Sequence, residues 1–531
     1  MDAAASRIWD VIVIGTGIGG GTVGRRLAES GLSVLFVEKG PDLGDQFSDG
    51  LPSGIDPPEE RLAQGIWPQR IRAELDGTWC ELDGMIAAGV GGTSLFYAAT
   101  LERPERHDLD QTDSHPHPTG GWPVGYDQMA PYYALAEHYF SISGEPDPLD
   151  PSAPALPGPA RALPQSDAAL MEDLRRAGMH PYQTHMAARF LPDCANCFGR
   201  RCGRRCKMDG RSAGVLPALD TGRAALIDRC TVLRIDAGPD RVTGITCQRD
   251  GKQIQLHARH YVLSGGGLGS PSLLLRSTSE DWPNGLGNRN DLVGRNLMFH
   301  LSEIMAVWAG RGAAREGASR SISMRDLYYQ QGHRFGTVQS MGLVAGYGEI
   351  LHAMNTRFDR SALRSLRPLR HALRIPAMVG AKVLGNAKVF VGVLEDLPYL
   401  TNRVLPGDDV DRLSFHYDVA DELLTRRAAF RKAMRAAFRP HRAMFMGSAP
   451  ELNFAHPCGT LRFGTDPATS VLDPDCRVHG VENLHVADSS FMPTSCGVNP
   501  SLTIAANALR VADRIAARTR APLAAGDGLG Y

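Results

Sequence analysis

The sequence has few cysteines, almost no net charge and no long apolar run. Ten cysteines in 531 residues are too few for a disulfide scaffold and favour a reducing compartment. Lys and Arg number 57 against 58 Asp and Glu, so the chain lacks the basic excess by which proteins bind nucleic acid. No run reaches about 18 apolar residues and no basic leader opens the chain, so we expect neither a transmembrane segment nor a secretory signal. These absences predict a soluble, cytoplasmic protein.

Glycine, in contrast, is abundant, at 58 of 531 residues, where about 7% is the average usage. The first glycine cluster follows a β-branched run from Asp10 to Ile14. It precedes a helical pattern that ends at Gly31, and a second apolar run ends in Glu38. Strand, glycine turn, helix and strand within about 30 residues predict a βαβ unit that binds a dinucleotide.

Five residues of this unit are predicted to contact or shape the cofactor site. Gly15 allows the tight turn, and Gly17 lets the backbone approach a pyrophosphate. Gly20 lets the helix pack closely on the strand. Ile18 opens the helix, whose N-terminal N–H groups attract phosphate. Glu38 is placed to accept hydrogen bonds from ribose hydroxyls.

The rest of the chain predicts two interleaved domains. Residues 1–300 form a Rossmann-like cofactor domain with excursions at about 41–83 and 105–190, and residues 456–531 return to it with a long helix. Residues 301–455 contain strand candidates of alternating polarity, which is typical of an antiparallel sheet with one face toward a pocket. The predicted fold class is α/β, or α+β overall: a Rossmann-like domain interleaved with a substrate domain built on an antiparallel sheet.

Four separated segments resemble the glucose–methanol–choline (GMC) flavoprotein oxidoreductases, and the resemblance covers nearly the whole chain. They are VIVIGTGIGGG…VEKG, GVGGTSLFYAATLERP, DLVGRNLMFH and HPCGTLRFG…GVNPSLTIAANALRVADRI. The resemblance implies that the dinucleotide is FAD rather than exchangeable NAD. It also implies oxidation of an alcohol, with oxygen or an external electron acceptor reoxidising the flavin. The active-site pattern is closest to pyranose and glycoside oxidases, so a sugar or glycoside is the expected substrate; sterols, aliphatic alcohols and aromatic alcohols stay open.

The resemblance also implies a catalytic pair, His456 in HPCGT and Asn499 in GVNPSLT. Imidazole can take the hydroxyl proton at neutral pH, while the carbon gives its hydride to flavin N5. An amide is no base, but it can hydrogen-bond the substrate oxygen and orient it. The alternative is structural: His456 caps a turn and Asn499 caps the following helix.

Further FAD contacts implied by the family lie in three segments. They are Gly91, Gly92, Thr93 and Ser94 in a second glycine turn, Val232 near the adenine, and Asp488, Asn499 and Pro500 toward the C-terminus. Asp488 either lies near the ribityl and phosphate part or caps a local turn. The helix after Pro500 would stabilise negative charge on the reduced flavin. Phe96 stands where members with covalent flavin carry a histidine, so we expect non-covalent FAD.

Four cysteines, Cys194, Cys197, Cys202 and Cys206, lie within 13 residues among several basic residues. Reduced or locally paired thiols are one interpretation. An iron–sulfur cluster on Cys197, Cys202 and Cys206 is a second, and it would make the chain a flavin and iron–sulfur electron-transfer subunit of a dehydrogenase complex. Zinc is a third, although one continuous stretch suits its geometry poorly. No other metal site is predicted.

The stretch 360–388 alternates leucine with arginine and predicts a basic amphipathic helix, broken or kinked at Pro368 and Pro376. Such a helix can contact an anionic membrane surface or a partner, and it can equally be a solvated lid.

Overall fold

A computed structural model of the chain describes residues 7–48, 55, 57–83, 86–194, 196–308, 319–342, 346–359, 366–385, 387–407 and 409–520. The α-helices are α1 Ile18–Glu29, α2 Pro58–Ala63, α3 Tyr126–Tyr139, α4 Gln165–Arg176, α5 Leu216–Asp220, α6 Gly266–Arg276, α7 Tyr347–Asp359, α8 Arg367–Ala372, α9 Arg374–Leu384, α10 Asp421–Ala437 and α11 Ser501–Arg520. Short 3₁₀ turns span Gly92–Leu95, Arg106–Asp108 and Ser489–Phe491, and a π turn spans Gly210–Val215.

The strands are β1 Ile8–Ile14, β2 Val34–Val37, β3 Ile71–Leu75, β4 Thr78–Leu82, β5 Ile142–Ser143, β6 Tyr182–Gln183, β7 Met186–Ala187, β8 Ala224–Ile227, β9 Thr231–Ala237, β10 Val242–Arg249, β11 Lys252–Leu263, β12 Met298–Trp308, β13 Ile322–Met324, β14 Tyr329–Gln330, β15 His333–Arg334, β16 Val338–Ser340, β17 Ala387–Leu394, β18 Arg403–Val404, β19 Ser414–Tyr417, β20 Arg442–Phe445, β21 Leu452–Cys458 and β22 Leu484–Val486.

The first sheet has a parallel core in the order β8-β2-β1-β11-β22, and β9 and β10 add antiparallel strands to β11. Val11, Ile12 and Val13 of β1 are fully buried, as expected for a strand covered on both faces. Helices α1 and α11 pack against each other beside this sheet. The predicted βαβ unit is therefore present, and the last helix does return to the first domain.

The second sheet is antiparallel, with the order β20-β12-β17-β16-β13-β6 and with β21 paired to β12. Phe430 and Met434 of α10 pack in the core beneath it. The antiparallel substrate sheet is thus confirmed. The sheet also includes β6, Tyr182–Gln183, which belongs to the excursion at 105–190. Its strand β21 extends past position 455 to Cys458. Residues on both sides of positions 300 and 455 belong to strands of this one sheet. The domain boundaries at these two positions therefore stay predictions.

The excursion at 41–83 is more regular than its composition indicates. It holds α2 and the hairpin β3–β4, and β3 pairs in parallel with β19 in a four-stranded sheet. Each strand is only five residues long, so its alternation is too short to stand out among the prolines and glycines around it.

The basic stretch is helical and broken, which is one of the two predicted forms, but the break lies at Leu373, between the short helices α8 and α9, and not at either proline. Residues 360–365 and 386 lie outside the described residues. Pro368 and Pro376 lie in the first turn of each helix, where the missing N–H has no intrahelical partner. Both prolines therefore begin helices here instead of breaking one. None of the helices in the described ranges is long and apolar enough to cross a bilayer.

Candidate active site

A cavity of about 480 Å³ lies where the two large sheets meet. The first domain contributes the start of α1, the ends of β2 and β11, and the 3₁₀ turn Gly92–Leu95. The antiparallel sheet contributes Ser302, Gln339, Val391 and Val393. A volume and a mixed polar and apolar wall of this kind are those of a cofactor and small-molecule site.

The glycines of the first turn have the separate roles that their spacing predicts. A Cβ on Gly15, at φ +92°, would lie 2.4 Å from the Ser264 carbonyl oxygen, and one on Gly20 would lie 2.0 Å from the Gly15 carbonyl oxygen. These two glycines are therefore required by packing. Gly17 lines the cavity, and a Cβ there would meet no protein atom within 4 Å. The space beside Gly17 is consequently free for a ligand.

Glu38 lies in the wall and closes the same turn. Its carboxylate accepts hydrogen bonds from Thr16 N (3.0 Å), Thr16 Oγ1 (2.6 Å) and Gly40 N (3.1 Å). Burial raises the pKa of Glu38, and these donors oppose that effect. The carboxylate is thus held rigidly at the cavity edge, where a ribose contact is predicted.

Most of the predicted cofactor residues share this one wall: Gly15, Gly17, Ile18, Glu38, Gly92, Thr93, Ser94, Val232, Asp488, Asn499 and Pro500, together with Phe96. Gly20 and Gly91 do not line it. The Gly91 N–H donates to Thr16 Oγ1 (3.1 Å), and a Cβ on Gly92 would lie 2.8 Å from the Gly17 Cα. The second glycine turn therefore packs directly on the first, and Gly91 supports the wall from behind.

Asp488 caps a local turn, as the second interpretation of this residue predicts. Its side chain caps the 3₁₀ turn Ser489–Phe491 by accepting from Ser490 N (2.9 Å), and it also accepts from Gly266 N (2.9 Å) and Ser270 Oγ (2.5 Å). Burial raises its pKa, and these donors lower it. Asp488 thus ties the first turns of α6 to the C-terminal segment while it borders the cavity.

The wall fits an anionic dinucleotide in three respects. Helix α1 has neither a side-chain cap nor an acid in its first turn, so its first N–H groups are open to phosphate. Ser264 Oγ is buried in the cavity wall with no hydrogen-bond partner. Arg276 Nε, in the same wall, also has none within the described ranges. An anionic ligand that reaches both atoms would satisfy them.

His456 lies on β21 with its Nδ1 atom 3.2 Å from His300 Nδ1. His300 is fully buried, and its Nε2 lies 3.0 Å from the Cys496 carbonyl oxygen. Because a carbonyl only accepts, His300 carries its proton on Nε2 and offers a lone pair at Nδ1. His456 must then donate from Nδ1, since the other tautomer would set two lone pairs face to face. Nε2 of His456 is left with a lone pair, as a base requires.

Burial keeps both imidazoles neutral. Burial lowers the pKa of His300 to about 4 and holds the pKa of His456 well below its usual value of 6.5. The neighbouring His300 and Arg320 lower the pKa of His456 further, by smaller amounts. Asn453 Nδ2 also lies 3.2 Å from His456 Nδ1, but an amide NH₂ group only donates, so in this tautomer the contact is packing against the ring and not a hydrogen bond. The base is therefore unprotonated across the neutral range.

Asn499 precedes α11 and borders the same cavity. Its Oδ1 accepts a hydrogen bond from Gln339 Nε2 on β16 (3.0 Å). This contact orients the amide so that its NH₂ group is available as a donor. The side-chain oxygen is engaged by the antiparallel sheet rather than by the helix, which distinguishes the arrangement from a simple helix cap.

Sequence reasoning missed three polar residues at this end of the cavity: His300, Arg320 and Gln339. His300 ends the segment DLVGRNLMFH, one of the four that carry the family resemblance, and that segment was the available signal. Arg320 and Gln339 lie in the substrate domain, where no motif singles them out.

The four clustered cysteines come together, as a chain of contacts. Cys202 Sγ lies 3.3 Å from Cys206 Sγ, Cys197 interacts with Cys202, and Cys194 interacts with Cys206. No disulfide joins any of the ten cysteines, all of which lie in the described ranges. Within the described ranges, no group of three or more His, Cys, Asp or Glu side chains has an arrangement that could hold a metal ion. The four thiols are thus neighbours, and the three interpretations, including an iron–sulfur cluster on Cys197, Cys202 and Cys206, stay predictions.

Lys207 connects the cysteine loop to the cavity wall. Its buried ammonium donates to the carbonyl oxygens of Leu95 (2.7 Å), Arg200 (2.6 Å) and Tyr97 (3.4 Å), and Tyr97 lines the cavity. Burial lowers the pKa of Lys207 to about 8. The thiols therefore lie directly behind the second glycine turn.

A βαβ unit with an open helix N-terminus, and a neutral histidine held opposite it by an antiparallel sheet, are features of a dinucleotide-dependent oxidoreductase. The chain belongs to the GMC oxidoreductase family: the N-terminal family model matches residues 80–302 and the C-terminal model matches residues 396–508, together more than half of the chain. GMC oxidoreductases are FAD enzymes, so FAD is the cofactor for this cavity.

Curated relatives match over nearly their whole length. The chain is 29% identical to paromamine 6'-oxidase of Streptomyces fradiae, over 96% of this chain and 92% of the relative. It is 27% identical to the fructose dehydrogenase large subunit of Gluconobacter japonicus, over 95% and 97%. A crystal structure of pyridoxine 4-oxidase from Mesorbium loti has the same fold, with a TM-score of 0.63, 19% identity and coverage of 95% of this chain and 99% of that one.

Proposed function

We propose that the protein oxidises a CH–OH group of a sugar or related polyol. The single observation that carries the proposal is the hydrogen-bond chain from the Cys496 carbonyl through His300 to His456, which leaves Nε2 of His456 as a neutral base in the cavity. The family and the two sugar-related relatives support the same reaction class.

Each residue at this end of the cavity has a definable task. His456 Nε2 takes the proton of the substrate hydroxyl, and His300 holds the ring in the tautomer that can do so. The Asn499 amide donates to the substrate oxygen, and Gln339 keeps that amide oriented. FAD, when bound, supplies the acceptor for the hydride that leaves the carbon.

The wall favours a polyol over a sterol or a simple aliphatic or aromatic alcohol. Ser302, Gln339 and Asn453 present polar side chains from the antiparallel sheet and β21 toward the cavity. A sterol would bury these groups against hydrocarbon without hydrogen-bond partners, at about 1–3 kcal/mol for each group. A ligand with several hydroxyls would satisfy them.

Anaerobic mixing of the purified holoprotein with a panel of sugars, polyols, sterols, aliphatic alcohols and aromatic alcohols tests the proposal. We expect the oxidised flavin absorbance to bleach with at least one sugar or polyol and to stay unchanged with sterols and aromatic alcohols. If no alcohol in the panel bleaches the flavin, the proposed reaction is wrong.

We also propose that FAD is bound without a covalent bond, because Phe96 in the cavity wall has no atom that could attach to the flavin. Acid precipitation should release all the flavin into the supernatant. Iron measured in the same supernatant decides the alternative function, an electron-transfer subunit with a cluster on Cys197, Cys202 and Cys206. The thiol contacts lead us to expect less than one iron atom per chain, and stoichiometric iron would favour that alternative.

We further propose that α9 contacts an anionic membrane surface from the cytoplasmic side. Ile375, Met378, Val379 and Val383 are exposed on one face of this helix, where Lys382 lies among them. Residues 360–388 contain seven Lys and Arg and no Asp or Glu. An apolar face set in basic surroundings matches a bilayer with acidic headgroups.

Sedimentation with vesicles tests this contact. We expect binding to phosphatidylserine-containing vesicles that weakens with salt, and little binding to pure phosphatidylcholine. Val379→Ser should lower the affinity about tenfold, because one buried apolar side chain is lost. Leu424→Ser, at an exposed apolar position on α10, is the matched control. Equal sedimentation of both variants with the parent protein would exclude α9 as the contact.

A further inference from the structure

Arg320 is a buried cation in the cavity wall. Its side chain is 8% exposed, and it borders the same cavity as His456 and Asn499. Nε and Nη2 both donate to the Met341 carbonyl oxygen (3.1 and 2.9 Å), and Nη1 donates to Thr100 Oγ1 (2.8 Å). A guanidinium has five N–H groups, so one on Nη1 and one on Nη2 remain.

No carboxylate balances this charge in the part of the chain that the structure describes. Two other buried arginines of the substrate domain differ in this respect: Arg325 pairs with Glu102, and Arg334 pairs with Asp108 and Glu395. Burial without a partner lowers the pKa of Arg320 to about 10, which still leaves it charged at neutral pH. An unpaired buried charge is costly, so a site that keeps one normally meets an opposite charge when it is loaded.

The other carboxylates of the cavity wall cannot supply that charge, because their oxygens are occupied. Glu38 is held by Thr16 and Gly40, and Asp488 by Gly266, Ser270 and Ser490. Among the described residues, then, no carboxylate is free to pair with Arg320, which leaves this charge for a ligand.

Gln339 adds a second unsatisfied group to the same wall. Its side chain is 1% exposed, and while Nε2 donates to Asn499, Oε1 has no hydrogen-bond partner. An unpartnered acceptor near the catalytic amide calls for a donor, and a hydroxyl group is the simplest one. The cavity thus lacks one anion and one hydroxyl donor.

We propose that Arg320 binds a carboxylate of the substrate, so that the substrate is a polyhydroxy acid such as an aldonate or uronate. This inference rests on the proposed alcohol oxidation and names its substrate class. The two remaining N–H groups, one on each terminal nitrogen, suit the two oxygens of a carboxylate. A carboxylate balances one guanidinium, whereas a phosphate monoester would leave excess negative charge. An amino sugar would bring a second cation to Arg320.

Flavin bleaching with glucuronate, gluconate, glucose and glucosamine tests the proposal on the wild-type holoprotein. We expect kcat/KM for an acid to exceed that for glucose at least tenfold, and we expect no reduction by glucosamine. Acetate should inhibit competitively, and acetamide, its neutral isostere, should not. Faster reduction by glucose or glucosamine than by both acids would overturn the inference and leave the proposed oxidation standing. Failure of every alcohol would overturn both.

Substitution of Arg320 separates substrate binding from a role in the flavin's own charge. Arg320→Gln should raise KM for the acid by about 30- to 1,000-fold while changing kcat little, because the variant cannot form the buried charged contact with the substrate carboxylate. Arg320→Lys keeps the positive charge but loses the paired N–H donors of the guanidinium. Its KM for the acid should therefore lie between those of the parent protein and the glutamine variant. A drop in kcat of equal size for acid and neutral substrates, with KM unchanged, would instead assign Arg320 to the reduced flavin and exclude the carboxylate. FAD content and the melting temperature show that each variant is folded.

Discussion

Replacing His456 with glutamine is expected to slow anaerobic flavin reduction by about 100- to 10,000-fold, the range that a positioned general base contributes. Glutamine preserves approximate size and hydrogen bonding but cannot accept the hydroxyl proton at neutral pH. FAD content should be unchanged, because the βαβ unit is untouched. Stopped-flow absorbance of the flavin, with substrate in excess, measures the reduction rate directly.

The pH profile distinguishes a base from a merely structural histidine. Burial holds the pKa of His456 well below 6.5, so the neutral, proton-accepting form persists as the pH falls through that value. We therefore expect the reduction rate to stay level from pH 8 down past pH 6.5 and to decline only in more acidic buffer. His180→Gln, at an exposed histidine paired with Asp326, is the control and should behave as the parent protein. Reduction of the His456→Gln variant at the parental rate would remove His456 from the mechanism.

The first domain was largely predictable because its signals are local. The strand, glycine turn, helix and acid of the βαβ unit lie within about 30 residues, so their order and spacing predict the unit without any distant contact. The proposed catalytic pair could be named for a similar reason, since HPCGT and GVNPSLT are short motifs that resemble those of the family. Spacing predicted that Gly20 packs the helix on the strand, but it could not show that Gly91 supports the wall without facing the cavity, because Gly91 contacts Thr16 of the first glycine turn.

The residues that complete the site were not predictable, because their partners are distant in the chain. His300 and His456 are separated by 156 positions, and Gln339 and Asn499 by 160. Both pairs form only when the antiparallel sheet folds against the first domain. The tautomer of His456 is likewise a consequence of one buried carbonyl, at Cys496, that no sequence pattern marks. Side chains that orient other side chains are therefore the part of an active site that is hardest to predict from sequence.

The basic stretch shows a different limit. Its leucine and arginine spacing indicates a helix correctly, but proline has opposite meanings in the first turn and in the interior of a helix. Only the observed starts of α8 and α9 show that Pro368 and Pro376 belong to first turns. The composition of the segment, which needs no such detail, still predicts its exposed and basic character.

Matched alanine substitutions at Gly17 and Gly20 should separate cofactor binding from folding. Gly17→Ala should leave the melting temperature of the apoprotein unchanged, because its Cβ meets no protein atom within 4 Å. That Cβ enters the cavity beside the open N-terminus of α1, so we expect the FAD dissociation constant to rise about 5- to 150-fold, as overpacking of about 1–3 kcal/mol implies. Titration of apoprotein with FAD, followed by flavin fluorescence, measures this change.

Gly20→Ala carries the same added methyl group but places it 2.0 Å from the Gly15 carbonyl oxygen, between strand and helix. The βαβ unit must shift to accept it, so both the melting temperature and the FAD affinity should fall. Gly238→Ala, where a Cβ also meets nothing within 4 Å and which lies outside the cavity wall, should change neither. If Gly17→Ala binds FAD as tightly as the parent protein, the space beside Gly17 is not where the pyrophosphate lies. The glycine turn would then be a packing feature alone, and the cofactor would have to reach the cavity without contact to the start of α1.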